Sequence, residues 1–547
     1  MKTADYIVIG AGSAGCIMAN RLSADGARVV LLEAGGPDRH PYIHIPGAYI
    51  RLFKKKFDWG FWTEPQAALD GRKIYIPRGK MLGGCSSNNA MAYVRGNAGD
   101  YNEWAALGNE GWGFEEVLPY FLKSEGNANA DELDPGYHSS KGELYVQTVK
   151  EQHTAYGKAF VEAAQQAGLP KCADYNGKDQ HGVGFFQFTI KDGKRFSSAD
   201  AFLKPILNRP NFEAVTHALV ERISIENGRA TGVVFKKGKT SHTIKANKEV
   251  ILCAGAINSP QILMLSGIGD RAYLQSKGID SVHHLPGVGQ NLQDHLFCGL
   301  AYRSNDNQGI NHYIKTLPQL GAFGKYLFQK KGVLTASPLE AFGFININGE
   351  DAHPDFQFHF CPIHAGEGYD YDMYDAESLP RDDGYTLLPS LVKPKSVGYV
   401  GLHTKTPGAA PLIQPNFLSA PEDMQTMIKG FRKGYEILEQ SAFDPFRQKR
   451  VAPLGDMNDD QVIIDHIKKS VETIYHPVGT CKMGHDEMAV VDDELRMHGL
   501  EGLRVVDASI MPTIVTGNTN APVYMIAEKA ADMILNGKKV NAKAVEA

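Results

Sequence analysis

Three glycines near the amino terminus restrict the fold of this chain more than any other feature. Gly10, Gly12 and Gly15 form the pattern G-x-G-x-x-G between a short apolar run and an alanine-rich stretch with helical spacing. The first glycine permits a tight turn, the second lets the backbone approach a pyrophosphate, and the third allows a helix to pack closely on a strand. With a second apolar run at 28–32, the pattern predicts a Rossmann-like α/β unit that binds a dinucleotide.

An acidic residue follows where a bound nucleotide needs one. Glu33 ends the second predicted strand, 18 residues after Gly15, and a carboxylate at this place accepts hydrogen bonds from the adenosine ribose. Ser13 and Ala14 open the predicted helix, whose free N–H groups and dipole favour phosphates. The glycine pattern alone would be a weak signal, since it also occurs for packing, and it does not separate FAD from NAD.

The nucleotide-binding domain is predicted to be assembled from separated segments. The chain has 547 residues, which exceeds the ~250 to 300 at which a single hydrophobic core stops growing. Apolar runs at 249–254 and 503–506 have the character of buried parallel strands. We therefore predict that 1–300 and 465–547 form one nucleotide-binding domain and that 301–464 form an α+β substrate domain.

The predicted substrate domain contains an antiparallel sheet. Between residues 356 and 360 phenylalanine alternates with Gln357 and His359, and 399–404 has a similar strand-like spacing. Alternation of this kind is typical of strands with two differing faces.

Composition argues against several functions. The net charge is −5 and no long basic block is present, so nucleic acid is not an expected partner. Seven cysteines are scattered singly, without the spacings of a zinc site or a disulfide framework, which predicts no metal and a reducing, cytoplasmic location. No apolar run reaches the ~18 residues of a membrane span. We expect a protein that is soluble or bound at most to a membrane surface.

Several ordered motifs carry a family resemblance. They are GKMLGGCSSNNAMAYVRG at 79–96, GAINSPQILMLSGIG at 255–269, GVGQNLQDH at 287–295, and YHPVGTCKMG, VVDASIMP and GNTNAP near the end. Together they span nearly the whole chain and resemble the motifs of the glucose-methanol-choline (GMC) oxidoreductases. The motif sequences are most similar to those of bacterial alkanol and choline dehydrogenases. The resemblance implies FAD as cofactor and oxidation of an alcohol by hydride transfer to the flavin. It therefore implies that 1–300 and 465–547 form an FAD-binding domain, with the catalytic residues in the latter segment.

The small residues around Gly83 and Gly84 form a second loop whose backbone can approach a flavin or its diphosphate, although such a loop can also be a mere surface turn. The resemblance places the residues after this loop beside the isoalloxazine, Val220 near the adenine, and Asp507 and Ala508 beside the diphosphate-ribityl region. The complete set of predicted FAD contacts is Gly10, Gly12, Ser13, Ala14, Gly15, Glu33, Ala34, Gly83, Gly84, Ser87, Asn89, Ala90, Met91, Ala92, Val220, Asp507 and Ala508.

Asn88 departs from the family pattern. The choline oxidases of the family carry a histidine at this position, and that histidine is a covalent tether for the flavin. An asparagine side chain cannot supply the imidazole nitrogen. We therefore expect FAD to be bound non-covalently.

His476 is the candidate catalytic base. A neutral histidine near pH 7 can take the hydroxyl proton of an alcohol, and Pro477 favours an extended loop at this position. A lone His-Pro pair is more often structural, but YHPVGT is where the family's catalytic histidine lies. Asn520 in GNTNAP is the predicted second catalytic residue, as a hydrogen-bond donor to the substrate oxygen, although it is equally suited to cap the helix predicted after it.

The predicted reaction converts a primary alcohol to an aldehyde. Glu340 lies where the choline oxidases carry the carboxylate that binds trimethylammonium, and nearby Phe342 and Phe344 could support a quaternary ammonium; a structural role for Glu340 is the alternative. Tyr475 is a second candidate substrate contact. Choline dehydrogenase or oxidase activity, a non-redox lyase similar to the oxynitrilases and a non-catalytic FAD-binding protein are the competing functions.

The segment 49–62, YIRLFKKKFDWGFW, interleaves aromatic residues with three lysines. It could dock on an anionic membrane near a quinone pool, at the inner face of the cytoplasmic membrane. Alternatively, it is a lid or packing loop over the flavin domain with solvated lysines. The expected electron acceptor is a quinone or another respiratory carrier, or oxygen.

Overall fold

The computed structural model of the chain describes residues 2–349 and 353–537. The last ten residues of the predicted segment 465–547 therefore lie outside the described residues. Among the described residues the α-helices are Ser13–Ala24, Pro41–His44, Ala98–Ala106, Phe114–Ser124, Ala155–Gln166, Gly255–Leu265, Arg271–Ser276, Thr316–Gln329, Pro421–Leu438, Asp460–Ser470 and Asn520–Asn536.

A mostly parallel sheet forms the nucleotide-binding half of the molecule. Ile9 lies opposite Leu32 on one side and Leu252 on the other, and Leu252 in turn lies opposite Val505. In spatial order its parallel strands are Phe212–Val215, Val29–Leu32, Thr3–Ile9, Thr240–Leu252 and Leu503–Val505, and an antiparallel ribbon of Arg229–Lys237 and Ala218–Glu226 extends it from Thr240–Leu252. This sheet confirms that separated segments assemble one Rossmann-like fold.

The first turn of the chain is held by the predicted glycines. Gly10 follows the first strand with φ +96°, a conformation that L side chains rarely adopt. A Cβ on Gly15 would lie 1.8 Å from the carbonyl oxygen of Gly10, so only glycine lets the helix Ser13–Ala24 approach the strand so closely. The turn therefore lies at the carboxyl edge of the parallel strands, where ligands of open α/β sheets bind.

An antiparallel sheet forms the other half and confirms the predicted α+β architecture. Its strands in spatial order are Arg447–Ala452, Leu300–Ser304, Gly384–Leu391, Phe356–Cys361, Ala341–Ile345 and Gly182–Phe185, with Leu296–Phe297 between the end of Gly384–Leu391 and Glu472–Thr473. Three of these strands lie outside 301–464. The exact division of the chain into 1–300, 301–464 and 465–547 stays a prediction.

The alternation in Phe356–Cys361 separates two buried faces rather than a buried and an exposed one, because the strand is central in the sheet. Phe356, Phe358 and Phe360 belong to an apolar cluster with the helices Ala155–Gln166 and Pro421–Leu438. His359 points the other way and lines a cavity between the two halves.

The predicted strand at 399–404 does form, but it lies outside this antiparallel sheet. Tyr399–Leu402 pairs with Pro411–Gln414 in a separate two-stranded sheet that packs on the helix Gly255–Leu265. The chain turns back after Leu402, so that Pro411–Gln414 lies alongside Tyr399–Leu402 and forms the backbone hydrogen bonds of that strand.

The remaining strands are short and form small separate sheets. They are Phe61–Trp62, Tyr75–Ile76, Glu125–Asn127, Leu144–Thr148, Gln187–Phe188, Ile190–Lys191, Lys194–Arg195, Ile268–Gly269 and His283–His284. Within the ranges 2–349 and 353–537, none of the helices is both long and apolar enough to cross a bilayer.

Candidate active site

A continuous cavity extends from the first glycine turn to the inner face of the antiparallel sheet. It brings together most of the predicted cofactor residues and also Tyr475, His476 and Asn520. The predicted FAD contacts that line it are Gly10, Gly12, Ser13, Ala14, Glu33, Ala34, Gly84, Asn89, Ala90, Met91, Ala92, Val220, Asp507 and Ala508.

Two glycine turns lie back to back at the nucleotide end. A Cβ on Gly84 would lie 2.7 Å from the Cα of Gly12, and a Cβ on Gly10 would lie 2.6 Å from the carbonyl oxygen of Cys253. Side chains are therefore excluded here, and backbone groups border the cavity. The structure thus joins the loop predicted from its small residues to the G-x-G-x-x-G turn.

Three predicted contacts support these turns without lining the cavity. Gly15 holds the helix against Gly10, as described above. Gly83 has φ +87°, and a Cβ there would lie 2.1 Å from Ser87 Oγ. Ser87 Oγ in turn donates a hydrogen bond to the Leu82 carbonyl oxygen at 2.8 Å. The sequence located the loop correctly, but only the packing shows which members face the cavity.

Glu33 is buried at the end of its strand and lines the cavity. Its Oε2 accepts a hydrogen bond from the Ala11 N–H at 2.9 Å, and its Oε1 accepts one from the Gly35 N–H at 2.8 Å. Burial raises the pKa of this carboxyl group to about 6. Each carboxylate oxygen retains capacity for a further hydrogen bond, as a ribose hydroxyl requires.

Asp507 follows the strand Leu503–Val505 and connects it to the helix Gly255–Leu265 through hydrogen bonds. Its Oδ2 accepts hydrogen bonds from the Gly255 N–H at 2.8 Å and from Ser259 Oγ at 2.6 Å. Both donors lie within the first five residues of the helix Gly255–Leu265. The carboxylate therefore satisfies free N–H and O–H groups at a helix start, while Ala508 beside it borders the cavity.

His476 lies at the opposite end of the cavity, on the extended loop that Pro477 predicts. Its backbone N–H donates to Asp294 Oδ1 at 2.8 Å. Its ring Nδ1 lies 3.0 Å from Nδ1 of His295, and its Nε2 lies 3.3 Å from Nδ2 of Asn518. Burial, and then the neighbouring histidines and Arg78, hold the pKa of His476 well below its usual value.

The hydrogen bonds select one tautomer of His476. The Asn518 Nδ2 group can only donate, so Nε2 of His476 accepts and its ring proton resides on Nδ1. His295 then accepts that proton at its own Nδ1, which burial keeps neutral by lowering the His295 pKa to about 3. The basic nitrogen of a neutral imidazole therefore faces the cavity.

The structure places Asn520 along the cavity but directs its side chain away from His476. This residue opens the helix Asn520–Asn536, and its side chain turns toward the neighbouring helix: Oδ1 accepts from Ser13 Oγ at 2.5 Å and Nδ2 donates to the Tyr524 hydroxyl at 2.9 Å. The amide beside His476 belongs to Asn518. Both asparagines occur in GNTNAP. Asn518 precedes the helix and its side chain points to His476, whereas Asn520 is the first residue of the helix and its side chain points away.

Two histidines at this end were not identified from the sequence. His295 ends the NLQDH motif and supports His476. His359 lines the cavity from the antiparallel sheet, with Nδ1 3.1 Å from Ser390 Oγ and with a buried Nε2 that has no partner among the described residues. The alternating pattern around His359 was a signal for a strand but not for a site.

Glu340 does not line the cavity. Its carboxylate accepts hydrogen bonds from the backbone N–H and from Oγ1 of Thr154, the latter at 2.7 Å, at the start of the helix Ala155–Gln166. Burial raises the Glu340 pKa to about 7. The geometry therefore favours the structural alternative over an ammonium anchor. Tyr475 does line the cavity, and its hydroxyl donates to that of Tyr374 at 3.1 Å. Its contact with the substrate stays a prediction.

The segment 49–62 covers the cavity. Tyr49, Ile50 and Phe53 are among its lining residues, and Lys54 forms an ion pair with Asp372 at 2.8 Å. These contacts are those of a lid or packing loop.

Comparison with known proteins agrees with this architecture. Residues 4–297 match the family model of the amino-terminal part of the GMC oxidoreductases. Residues 394–527 match the model of the carboxyl-terminal part. The chain belongs to the GMC oxidoreductase family. It is accordingly an FAD-dependent enzyme.

Individual relatives of this GMC oxidoreductase match over almost their full lengths. It is 43% identical over 549 residues to the alcohol dehydrogenase (acceptor) of Pseudomonas putida, covering 99% of this chain and 97% of the relative. It is 42% identical over 540 residues to the oxygen-dependent choline dehydrogenase of Brucella anthropi, covering 97% and 95%. The crystal structure of pyridoxine 4-oxidase from Mesorbium loti superposes with a TM-score of 0.88 at 30% identity, covering 97% and 99%.

Proposed function

We propose that this GMC oxidoreductase oxidises a primary alcohol to an aldehyde, with His476 as the general base. The observation that carries the proposal is the His476 ring, whose neutral Nε2 borders the cavity next to the Asn518 amide. The names of two relatives, an alcohol dehydrogenase and a choline dehydrogenase, support oxidation of a hydroxyl group.

The nucleotide end of the cavity fits FAD. Gly10, Gly12 and Gly84 leave room where side chains would collide, the helix Ser13–Ala24 presents its first N–H groups, and Glu33 offers carboxylate oxygens. When bound, FAD supplies the acceptor for the hydride that leaves the carbinol carbon. Asn88 lines the cavity and has no imidazole to form a covalent tether, so the proposed attachment is non-covalent.

The reactive end can activate a hydroxyl group with its own side chains. When the substrate binds, its hydroxyl group replaces the Asn518 amide as the hydrogen-bond donor to Nε2 of His476. Nε2 then accepts the hydroxyl proton, and Asn518 Nδ2 donates to the oxygen as negative charge develops on it. His295 is a positioning residue, because its Nδ1 accepts the Nδ1 proton of His476 and so leaves Nε2 unprotonated. Asn518, in place of Asn520, thus takes the second catalytic role.

The charges around the cavity favour an uncharged alcohol. Among the described lining residues the carboxylates are Glu33 and Asp507, and both lie at the nucleotide end. Near His476 the charged lining side chain is Arg78, whose guanidinium donates to the Tyr475 carbonyl oxygen. A quaternary ammonium would meet this positive charge without a carboxylate to balance it.

Choline is the second candidate substrate. Several curated relatives are named choline dehydrogenases, and aromatic side chains can hold a quaternary ammonium without a carboxylate. The aromatic residues that line the reactive end are Tyr49, Phe53, Phe297, Tyr369, Tyr371 and Tyr475.

The deciding experiment mixes the FAD-loaded enzyme anaerobically with a panel of primary alcohols and with choline. Bleaching of the flavin absorbance with aldehyde formation supports the proposal, whereas product without bleaching would identify a lyase and the absence of both would indicate a binding protein. A Glu340→Gln variant serves as the matched test for choline: it should leave the preference among substrates unchanged, since Glu340 lies at a helix start.

The final electron acceptor is proposed to be a quinone or another respiratory carrier, with oxygen as the alternative. The Brucella anthropi relative is named oxygen-dependent, which keeps that alternative open. Reoxidation of the substrate-reduced enzyme by a quinone analogue and by oxygen, measured side by side, discriminates the two. Acid precipitation tests the attachment of the cofactor: the flavin should be released as free FAD, and colour retained by the denatured protein would disprove a non-covalent site.

A cytoplasmic location completes the proposal. It rests on seven free cysteines, among them the buried Cys16, Cys253 and Cys481, which suit a reducing compartment. Fractionation of cells that produce the full chain tests it.

A further inference from the structure

The helix Thr316–Gln329 presents an apolar surface to solvent. Among its side chains Leu317 is 80% exposed, Leu320 62%, Phe323 42%, Leu327 46% and Phe328 89%. A soluble protein scatters such residues singly, whereas clustered exposure on one element marks an interaction surface.

These five side chains share one side of the helix. With about 3.6 residues per turn, spacings of three and four residues keep side chains on a common face. The opposite face, which packs on the protein, is small, since the buried residues of this helix are Ala322 and Tyr326. Tyr326 packs against Ile45 and Ala48. The helix is therefore amphipathic in the inverted sense, with its larger apolar face directed away from the protein.

The charge around this helix has a single sign. Between residues 307 and 339 the chain contains four lysines, Lys315, Lys325, Lys330 and Lys331, and no aspartate or glutamate. All four lysines are exposed. This segment is basic although the whole chain carries a net charge of −5, and an exposed apolar face edged by lysines matches an anionic lipid surface.

A second copy of the chain fits this surface less well. A two-fold interface would place the same patch on both partners, so lysines would oppose lysines without a carboxylate from this segment. Two acidic residues contact the neighbouring segment 46–54, where Asp372 pairs with Lys54 and Glu377 pairs with Arg51. These ion pairs offset part of the acidic charge that would oppose an anionic surface.

We propose that the helix Thr316–Gln329 docks the enzyme on an anionic lipid bilayer, with Leu317, Leu320 and Phe328 among the acyl chains and the four lysines at the headgroups. The membrane contact predicted for the segment 49–62 moves to this helix, because that segment covers the cavity instead.

Docking would place the bilayer beside the substrate cavity. Tyr326 packs on Ile45 and Ala48, and the same short segment contributes Tyr49 and Ile50 to the cavity wall. Resting on the proposed function, this arrangement suits primary alcohols that partition into lipid, since they would enter from the membrane.

The experiment is flotation of the FAD-loaded full chain with vesicles. Vesicles of phosphatidylcholine alone are compared with vesicles that also contain phosphatidylglycerol. The wild type should float with the anionic vesicles, and added salt should weaken binding. A Leu317→Ser/Leu320→Ser/Phe328→Ser variant changes three side chains that are exposed in the free protein. It should lower the partition coefficient at least tenfold, since each change removes an apolar group that docking would bury in the bilayer.

Two further variants separate charge from general surface effects. Lys315→Gln/Lys325→Gln/Lys331→Gln should weaken binding about fivefold for each lysine. The matched control Leu107→Ser/Leu207→Ser/Val282→Ser alters side chains that are 54%, 45% and 55% exposed elsewhere, and it should bind as the wild type does. Circular dichroism and flavin content report whether each variant is folded.

Three outcomes would overturn the proposal. They are no flotation of the wild type with anionic vesicles, equal flotation of the serine variant, or a dimer in solution that the serine substitutions dissociate. Activity gives an independent reading: the serine variant should lose rate with 1-dodecanol carried in anionic vesicles but keep its rate with 1-butanol in solution. Inactivity of the wild type toward both alcohols would refute the proposed reaction while leaving the flotation result to decide the membrane contact.

Discussion

The two ends of the cavity are built in different ways. At the nucleotide end Gly10, Gly12 and Glu33 come from one strand–helix–strand unit and lie within 24 residues of each other in the chain. At the reactive end His295, His359, His476 and Asn518 come from separated segments that meet only in the folded protein. The core of the first site is local in sequence, although Gly84 and Asp507 join it from other segments. The second site is entirely a product of the packing of two sheets.

This difference extends to the chemistry of each end. At the nucleotide end, backbone groups and the Glu33 carboxylate are placed to bind, while the Asp507 carboxylate holds Gly255 and Ser259. The geometry of the backbone groups follows from glycine conformations. In the proposed reaction, the reactive end depends on the protonation state of the His476 imidazole, which burial and neighbouring side chains determine. Substitutions should therefore affect binding at one end and the rate of chemistry at the other.

The largest effect is expected at His476. His476→Ala should lower the rate of flavin reduction by an alcohol by roughly 10² to 10⁴-fold, the usual contribution of a general base. Stopped-flow mixing under anaerobic conditions measures this rate. FAD content should stay at the wild-type value, because His476 lies away from the nucleotide end. Reduction at a rate near that of the wild type would show that another group takes the proton.

A paired substitution sharpens the assignment of the second catalytic residue. Asn518→Ala should lower the reduction rate by about 10²-fold, as removal of an oxyanion donor does. Asn520→Ala is the matched control two residues away and should change the rate by less than about threefold, because its amide contacts Ser13 and Tyr524 and contributes no such donor. The reverse order of the two effects would restore the prediction for Asn520.

At the nucleotide end Glu33→Ala should raise the Kd of FAD by roughly tenfold or more, because hydrogen bonds to a charged group are lost. Titration of the apoprotein with FAD, followed by fluorescence quenching, measures the change. The reduction rate per bound flavin should remain near that of the wild type. An unchanged Kd would mean that Glu33 serves only the turn, through Ala11 and Gly35.

The smallest effect concerns pH. Because the pKa of His476 is held well below 6.5, the imidazole is already a free base at neutral pH. The reduction rate should therefore be nearly constant from pH 8 down to about pH 6.5 and should fall only at lower pH, as protonation removes the base.

A control is needed at the acidic end of this profile, since the pKa of Glu33 is about 6 and its protonation weakens a ribose acceptor. Bound flavin is therefore measured at each pH. A half-maximal rate at pH 6.5 or above, with flavin retained, would show that burial does not depress the His476 pKa as the structure indicates.

Much of the fold was predictable because its signals are periodic and local. The strands at residues 3–9, 29–32 and 503–505 and the first helix follow from apolar runs and glycines. The strand Tyr399–Leu402 was predicted as an element but assigned to the wrong sheet. The hydrogen-bond partner of a strand depends on which other segment of the chain lies beside it in the folded protein. The alternation of apolar and polar residues does not identify that segment.

The sequence by itself determined the family, the nucleotide-binding turn and the position of His476, because each rests on a contiguous motif whose residues act at their own location. Tertiary structure alone decided that Asn518 and not Asn520 contacts His476, that Glu340 supports a helix start, and that an apolar helix faces outward. Side-chain direction and burial are set by contacts between distant segments, so two asparagines in one motif, or a glutamate among phenylalanines, have no distinguishable role until those segments meet.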